Sequence, residues 1–392
     1  MTGMIGRKEI GILESRSDAI IERLRERVFD ENRAKNLSIR FNVSNAAKMV
    51  GKSAQAIRDA EASDRLPKGQ LDENGRRIGY SLDEINRMRD VFGTRPSRGE
   101  TDEPIKLAVQ NFKGGVGKST LVAHLAQFLA LKGYRVLILD CDSQATTTTL
   151  FGLNPDLDVA QDTTLYPFLG FGGETTLDYA IRKTYWDGID LVPAMLGLYN
   201  AEYEFAARLR GDTSLLDKLR VGIDGVAQNY DVVLLDPPPA LGMISLSVIR
   251  AANALLIPTP PSTIDFSSTS HFLTMLLDVL DQLEHVGLPR TYRFMKIVAT
   301  KVNENASKQR EIRDMMQTLF GREMLSTEMK SSAEIDNATA QLRTVYELES
   351  GLSQKTHKRC RTNLDMLFGE LELLIRNSWP SHRRKLLEQG VI

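Results

Sequence analysis

The chain has 392 residues, of which 42% are hydrophobic and 26% charged, with a formal net charge of −1. This composition excludes a disordered or fibrous chain and predicts a globular protein of two or three domains. There is no run of about 18 apolar residues and no N-terminal apolar stretch of signal-peptide length, so we expect a cytoplasmic protein with no membrane partner. The two cysteines, Cys141 and Cys360, match no zinc-binding or cluster-binding spacing.

Residues 1–36 are expected to form a separate N-terminal helix. Its amphipathic part is predicted at residues 12–35, because Ile21, Leu24 and Val28 recur at helical spacing with charges between them. This helix either packs against the next domain or forms a dimer seam. The first hundred residues carry a small excess of Lys and Arg, which is compatible with a nucleic-acid-binding front end but does not establish one.

Residues 37–94 predict a compact winged helix-turn-helix unit. Ser44 and Ser53 are expected to cap two short helices, and Gly51 makes the turn between them. Asn74-Gly75 predicts the turn of a hairpin, and Ser81–Glu84 reads as the capping box of a third helix. The alternative is a small helical packing domain with a charged, solvated face.

Residues 95–104 form a polar linker with prolines at both ends, and residues 105–355 then alternate apolar, strand-like runs with helical patterns. Such alternation predicts an α/β fold with a mostly parallel sheet covered by helices on both faces. A charged helix and a basic tail occupy residues 356–392. The predicted strands are Ile105–Gln110, Arg135–Asp140, Ile189–Pro193, Val232–Asp236, Ala254–Pro258 and Phe294–Thr300.

A glycine-rich loop follows the first predicted strand and opens a predicted helix, which is the context of a P-loop. Such a loop curls so that successive backbone N–H groups point at phosphate oxygens, and the helix N-terminus adds positive charge. Lys118 would neutralise the β- and γ-phosphates, and the Ser119 hydroxyl would bind Mg²⁺. The nucleotide-binding residues predicted here are Lys113, Gly114, Gly115, Val116, Gly117, Lys118, Ser119 and Thr120.

Three aspartates end predicted strands beside this loop. Asp236 closes the apolar strand "VVLLD" and is expected to reach Mg²⁺ as a Walker B aspartate. Asp140 and Asp142 lie on one side of another strand end. We expect Asp142 to orient the attacking water and Asp140 to help hold the metal's water shell, unless the two carboxylates only cap the following helix.

Three motifs resemble the ParA/MinD/Soj group of P-loop ATPases: "KGGVGKST" its deviant Walker A, "LDCDSQATTT" its Walker A′ and "VVLLDPPPAL" its Walker B. Ser143 stands where a proline is usual. The resemblance implies a weak, Mg²⁺-dependent ATPase that yields ADP. It also implies a homodimer that closes around two ATP molecules, in which Lys113 reaches the partner's nucleotide. Lys113, Lys118 and Asp142 would then be catalytic.

The resemblance covers residues 105–350 and implies further site residues. Thr300 and Lys301 lie where ParA proteins complete the adenine pocket. Lys330 keeps a basic residue where relatives have an arginine, and with Arg343 it is a candidate for binding non-specific DNA on the nucleoid. A ParB-type centromere-binding protein would be the partner that stimulates hydrolysis.

The layout of residues 41–93 resembles the DNA-binding domain of MerR-type proteins, whose second helix enters the major groove. Longer ParA proteins, including the RepA type of plasmid cassettes, place such a unit before the ATPase and repress their own operator. The resemblance therefore implies operator DNA as a second ligand. The candidate contacts are Lys52, Ser53, Gln55 and Arg58 on the second helix, and Arg76 and Arg77 on the wing.

Three other functions remain open at this point. A transcriptional regulator could use the ATPase only to gate DNA binding. A MinD-like membrane-cycling ATPase would need an amphipathic C-terminal helix, for which the tail offers Trp379, Leu386 and Leu387 beside basic residues. A reductase of the nitrogenase iron-protein type would need cluster-bridging cysteines, and neither cysteine lies where such a ligand is expected.

Overall fold

A computed structural model describes residues 6–28, 39–171, 173–209, 214–347 and 354–392. Within these ranges the strands are β1 (Ile105–Val109), β2 (Val136–Asp140), β3 (Arg182–Lys183), β4 (Ile189–Val192), β5 (Val232–Asp236), β6 (Ala254–Thr259) and β7 (Phe294–Ala299). The helices are α1 (Arg7–Val28), α2 (Val43–Val50), α3 (Ala54–Ala62), α4 (Leu82–Phe92), α5 (Lys118–Lys132), α6 (Thr146–Leu150), α7 (Tyr199–Leu209), α8 (Leu215–Val226), α9 (Met243–Ala251), α10 (Thr263–His285), α11 (Ser307–Phe320), α12 (Ala333–Ala340), α13 (Gln354–Asn377) and α14 (Pro380–Glu388).

The seven strands form one sheet in the order β3-β4-β2-β5-β1-β6-β7. All neighbouring strands are parallel except β3, which pairs antiparallel with β4. The six predicted strands and the mostly parallel sheet are therefore confirmed. The two-residue strand β3 was not predicted, because a segment that short carries no alternation of apolar residues.

Strand residues are buried on both faces of the sheet, as a parallel sheet covered by helices requires. Alternate side chains of β1 enter two separate cores: Ala108 lies in one, and Leu107 and Val109 lie in the other. Helices α8, α9 and α10 contribute to the first core, and α5 and α13 to the second. The carboxyl ends of β1, β2 and β5 consequently meet at one edge, where the loop and the aspartates lie.

Helices α2, α3 and α4 enclose a third, smaller core that includes Ile57, Tyr80 and Ile85. Ser53 caps α3 by accepting a hydrogen bond from the Ala56 N–H, and Ser81 with Glu84 forms the expected capping box. Both helix starts were therefore predicted correctly.

The cap of α2 was assigned wrongly. Asn42, not Ser44, precedes this helix, and its side-chain oxygen accepts from the Asn45 N–H at 2.9 Å. Gly51 does end the helix, in a left-handed conformation. The predicted hairpin is short: Asp72 and Gly75 close its turn, and a single bridge joins Leu71 to Arg77.

Helix α1 spans Arg7–Val28, so it lies within the predicted range 1–36 and begins before the predicted amphipathic part at residues 12–35. The side chains of Ile21, Leu24 and Val28, on which the prediction rested, lie outside the described residues. Among the α1 side chains that are described, Ile10, Leu13 and Ile20 are exposed.

The predicted linker is bound along its length. Arg98 donates hydrogen bonds to the backbone oxygens of Asp102 and Tyr230, and Trp379 donates its Nε1–H to the Glu103 oxygen at 2.9 Å. Trp379 and Leu386 are buried, so most of the apolar surface that a membrane-binding tail would need lies inside the protein. No helix in the described ranges is long and apolar enough to cross a membrane.

Candidate nucleotide-binding site

The glycine-rich loop has the backbone that its sequence predicts. Gly115 and Gly117 have φ angles of 74° and 98°, in the left-handed region that favours glycine. Gly117 directly precedes α5, and Gly114 and Gly115 are exposed at the mouth of the loop. The positive end of a 15-residue helix therefore faces the concave side of the loop.

Lys118 is buried at the base of the loop, 6% exposed, and its Nζ donates to the Lys113 carbonyl oxygen at 3.3 Å. Burial lowers the pKa of the Lys118 ammonium, and the charges of Asp236 and Asp142 raise it. The two carboxylates offset only part of the desolvation, because the pKa of Lys118 remains below its ordinary value.

One carboxylate oxygen of Asp236 accepts a hydrogen bond, and the other does not. Its Oδ2 accepts from the Thr147 hydroxyl at 2.7 Å, whereas the buried Oδ1 has no hydrogen-bond partner. Burial raises the pKa of Asp236 to about 6, against the lowering effect of the nearby Thr147 and Ser119 hydroxyls. An orphaned carboxylate oxygen beside a serine hydroxyl fits Mg²⁺, which takes few protein ligands and keeps several waters.

The structure shows Asp140 bonded to the residues that begin α6. This residue is fully buried, and its Oδ2 accepts from both the backbone N–H and the hydroxyl of Thr148, at 2.8 and 2.7 Å. Its Oδ1 accepts from the Asp142 N–H. Asp140 therefore anchors the start of α6, and its place in the metal's water shell stays a prediction, because each carboxylate oxygen can accept more than one hydrogen bond.

The surroundings of Asp142 agree better with its predicted role. It is 9% exposed, one of its oxygens accepts from the Gln144 N–H at 3.0 Å, and its charge acts on Lys118. It therefore lies among the groups around the loop and not in the helix start that holds Asp140.

Lys113 does not join Lys118 at the base of the loop. Its Nζ lies 2.5 Å from Oδ1 of Asp265, in the first turn of α10. Its backbone N–H is held by the side chain of Asn111, which also donates to the Pro258 carbonyl at 2.9 Å. The two lysines of the loop thus have different surroundings, one inside the phosphate cradle and one at its rim.

Thr300 supports the loop from behind. It is fully buried, and its hydroxyl donates to the Val116 carbonyl at 2.9 Å. That commitment removes it as a direct adenine contact and makes it a support for the loop. Lys301 is exposed with a φ of 53°, so it stays a candidate for the base pocket.

A second support for α5 was not predicted. His124 donates its Nδ1–H to the Thr120 carbonyl and accepts the Val345 N–H at Nε2, at 2.7 and 3.1 Å. Burial lowers the pKa of His124 to about 4, so the ring is neutral and this tautomer suits both bonds. The segment "TVYE", 344–347, is therefore a structural clamp on the loop helix, a role that its sequence alone does not reveal.

The candidate DNA contacts in residues 37–94 differ in their exposure and in their bonds to other residues. Lys52, Ser53, Gln55, Arg58 and Arg76 are exposed, although the Gln55 amide donates to Asp59.

The Arg77 side chain bonds to two other side chains of the protein. Its guanidinium pairs with Glu61, Nη2 to Oε2 at 2.7 Å, and it also donates to the Tyr80 hydroxyl. Arg77 holds the hairpin onto α3, but its side chain is 44% exposed, so it stays a candidate DNA contact.

The ATPase-side DNA candidates also differ from each other. Lys330 pairs with Glu304 at 2.6 Å, and Arg359 contacts the same carboxylate, so this ion pair must open before Lys330 can bind DNA. Arg343 is exposed. Beside Lys330, between α11 and α13, lies an open groove of about 880 Å³ with five basic residues against two acidic ones: Arg313, Lys330, Lys355, Lys358 and Arg359, with Asp314 and Glu328.

Comparisons with known proteins agree with this geometry. A family model described as an AAA domain matches residues 105–286. Protein SopA of Escherichia coli (strain K12) is 37% identical over 328 residues, which cover 81% of this chain and 83% of SopA. Chromosome partitioning protein ParA of Caulobacter vibrioides is 28% identical over 259 residues, 65% of this chain and 92% of that protein.

Among solved structures, one described as "Partition Protein" aligns with 94% of this chain and 98% of its own, with a TM-score of 0.62 at 19% identity. At that identity the match bears on the fold alone. The sequence relatives decide the family: the chain belongs to the ParA family of partition ATPases.

Proposed function

We propose that this protein segregates a plasmid by cycling between a free form and an ATP-bound dimer on DNA. The observation that carries the proposal is the separation of the two loop lysines. Lys118 is buried in its own phosphate cradle, whereas Lys113 lies at the rim against Asp265. A lysine at the rim can serve a nucleotide held by a second copy, where it adds positive charge as phosphoryl transfer develops negative charge.

Within each cradle, the loop N–H groups and Lys118 would bind the phosphates of ATP or ADP. Ser119 and Asp236 would hold Mg²⁺, which supplies charge neutralisation between the phosphates. Asp142 would orient the attacking water. Weak turnover alone, stimulated by a ParB-type partner, would then limit the lifetime of the ATP-bound dimer.

The ATP-bound dimer would bind DNA without sequence preference through basic surface residues. The groove between α11 and α13 supports this, because Lys355 and Lys358 are exposed there. They join Lys330 and Arg343 as candidates. Contacts to phosphate make such binding fall steeply with salt.

Residues 37–94 would bind the operator of the protein's own gene and repress it. The support is the exposed α3, whose start is fixed by the Ser53 cap and which presents Gln55 and Arg58. The exposed apolar residues of α1 would add a contact between subunits that does not need nucleotide.

The principal alternative is a regulator whose ATPase only gates DNA binding. Asp142→Ala separates the two functions in one strain that carries both an unstable plasmid and an operator–reporter fusion. We expect repression to survive and plasmid inheritance to fail. Normal plasmid inheritance with the variant would favour the regulator.

A further inference from the structure

Arg89 lies where the front unit meets the ATPase domain. It is on α4, is 2% exposed, and donates three hydrogen bonds to neutral acceptors. Nη2 reaches the Leu131 carbonyl at 2.7 Å, Nε the Met49 carbonyl at 3.2 Å and Nη1 the Asn86 side-chain oxygen at 2.6 Å. One guanidinium therefore connects three helices.

The two carbonyls come from the last turns of α5 and α2. The final carbonyls of a helix have no partner within it and carry partial negative charge. Two negative helix ends therefore converge on one buried cation. Burial lowers the pKa of Arg89 to about 10, which leaves the guanidinium charged at neutral pH.

These helices lead to the two ends of the molecule that bind different ligands. Helix α5 begins at Lys118 and Ser119 in the phosphate loop and runs 15 residues to Lys132, a rod of about 22 Å. Helix α2 leads through the Gly51 turn into α3, which carries the candidate operator contacts. Arg89 links the far end of the rod to this unit by hydrogen bonds to both helices.

Arg89 also packs tightly against the end of α5. Gly133 follows α5, and a Cβ atom at that position would lie 2.9 Å from Arg89 Nη1. The guanidinium therefore packs closely against the end of α5 while it also bonds to Met49 at the end of α2.

We propose that Arg89 is the positioning residue that makes the DNA-binding unit respond to nucleotide: phosphate binding at the start of α5 changes the placement of α2 and α3 through its guanidinium. This inference rests on the proposed function, in which residues 37–94 bind the operator. Coupling between two sites is reciprocal, so the operator would change the affinity for ATP by the same factor.

The matched variants are Arg89→Lys and Arg95→Met. Lysine keeps the charge, but a single ammonium lacks the planar fork that spans two helices. Arg95 also binds the end of α5, through Nε to the Gly133 carbonyl at 2.9 Å, but pairs with Asp90 and not with α2. Arg95→Met therefore removes a contact to the same helix end and leaves the connection to α2.

The test is hydrogen exchange of residues 43–62 with and without Mg²⁺-ATP, alongside ATP affinity from a fluorescent analogue and the unfolding temperature. We expect ATP to change protection in the wild type and in Arg95→Met by about fivefold or more. Arg89→Lys should lose most of that change while it still binds ATP and stays folded.

Two results would overturn the proposal: a wild type that binds ATP with no change at residues 43–62, or an Arg89→Lys variant with the wild-type response. A wild type that binds no ATP would refute the proposed function itself, and the ATP-affinity arm reports that case separately. A second experiment measures the affinity of the protein for a DNA duplex from upstream of its own gene, with and without ATP, and uses a scrambled duplex as control. The ratio of the two affinities should approach one in Arg89→Lys only.

Discussion

Lys113 Nζ lies 2.5 Å from Oδ1 of Asp265, so the extra lysine of the phosphate loop is tied to the first turn of α10. The Lys113 side chain is 32% exposed and that of Asp265 18% exposed. Asp265 is itself fixed, because its backbone N–H and its carboxylate both bond to the Ser262 hydroxyl. In the proposed cycle this ion pair must open before Lys113 can reach a second nucleotide.

Asp265→Asn should therefore favour the ATP-bound dimer. The substitution keeps the helix-start geometry and removes the charge that holds Lys113. Partly exposed ion pairs contribute about 0.2–1 kcal/mol, so the ATP concentration at half-dimerisation should fall by up to about fivefold. Sedimentation velocity over an ATP titration measures this, with Asp281→Asn, exposed on the same helix, as control. An unchanged or weaker dimer would show that the pair does not restrain Lys113.

Thr300→Val should loosen the phosphate loop without touching nucleotide. Removal of the hydroxyl leaves the Val116 carbonyl without its buried donor, which costs about 1–3 kcal/mol. The free energy of unfolding should fall by that amount and ATP should bind more weakly. Denaturant unfolding and ATP titration check both effects, and Thr300→Ser should behave almost as the wild type. Wild-type ATP affinity in Thr300→Val would remove Thr300 from the site.

Asp236→Asn should stabilise the nucleotide-free protein while it abolishes Mg²⁺-dependent ATP hydrolysis. The pKa of Asp236 is about 6 in the fold against an ordinary 3.8, so the folded state retains the proton more strongly. The resulting penalty grows as pH rises from about 4 to 6 and is fully present at pH 7.

A neutral side chain avoids this penalty, which gives a gain of about 1–3 kcal/mol at pH 7 and almost none at pH 4. Unfolding of wild type and variant at both pH values checks the prediction. A variant that is less stable at pH 7 would contradict the account of this carboxylate.

Lys355→Ala and Lys358→Ala should weaken non-specific DNA binding by the ATP-bound protein. Each lost phosphate contact should reduce the slope of log affinity against log salt by about 0.9. Binding to a mixed-sequence duplex across a salt series measures the slope. Lys308→Ala, exposed on the neighbouring α11 and paired with Glu311, is the control. Identical slopes in all three variants would move the DNA surface away from this groove.

Local sequence signals predicted the sheet and the loop because those features depend on neighbouring residues. A buried strand needs an apolar run, and Gly115 and Gly117 are dictated by the backbone of the loop itself. The wrong cap of α2 arises from competition between nearby polar groups. Asn42 and not Ser44 caps this helix, because the Asn42 side chain accepts a hydrogen bond from the Asn45 N–H.

Contacts between distant segments left no signal in the sequence. The bond from Thr300 to Val116 joins residues 184 positions apart, and that from Val345 to His124 joins residues 221 apart. The ion pair between Arg77 and Glu61 was likewise not predicted. Such pairings depend on the whole fold, so a single sequence cannot reveal them.

The most direct test of the central claim is ATP turnover and DNA retention for wild type and Lys113→Ala, with and without a ParB-type protein. We expect slow turnover alone, DNA retention with ATP but not ADP, and stimulation by partner and DNA in the wild type. Lys113→Ala should bind ATP and lose the stimulated turnover. A variant that is stimulated like the wild type would show that Lys113 serves no second nucleotide, and the ATP-sandwich account would be wrong.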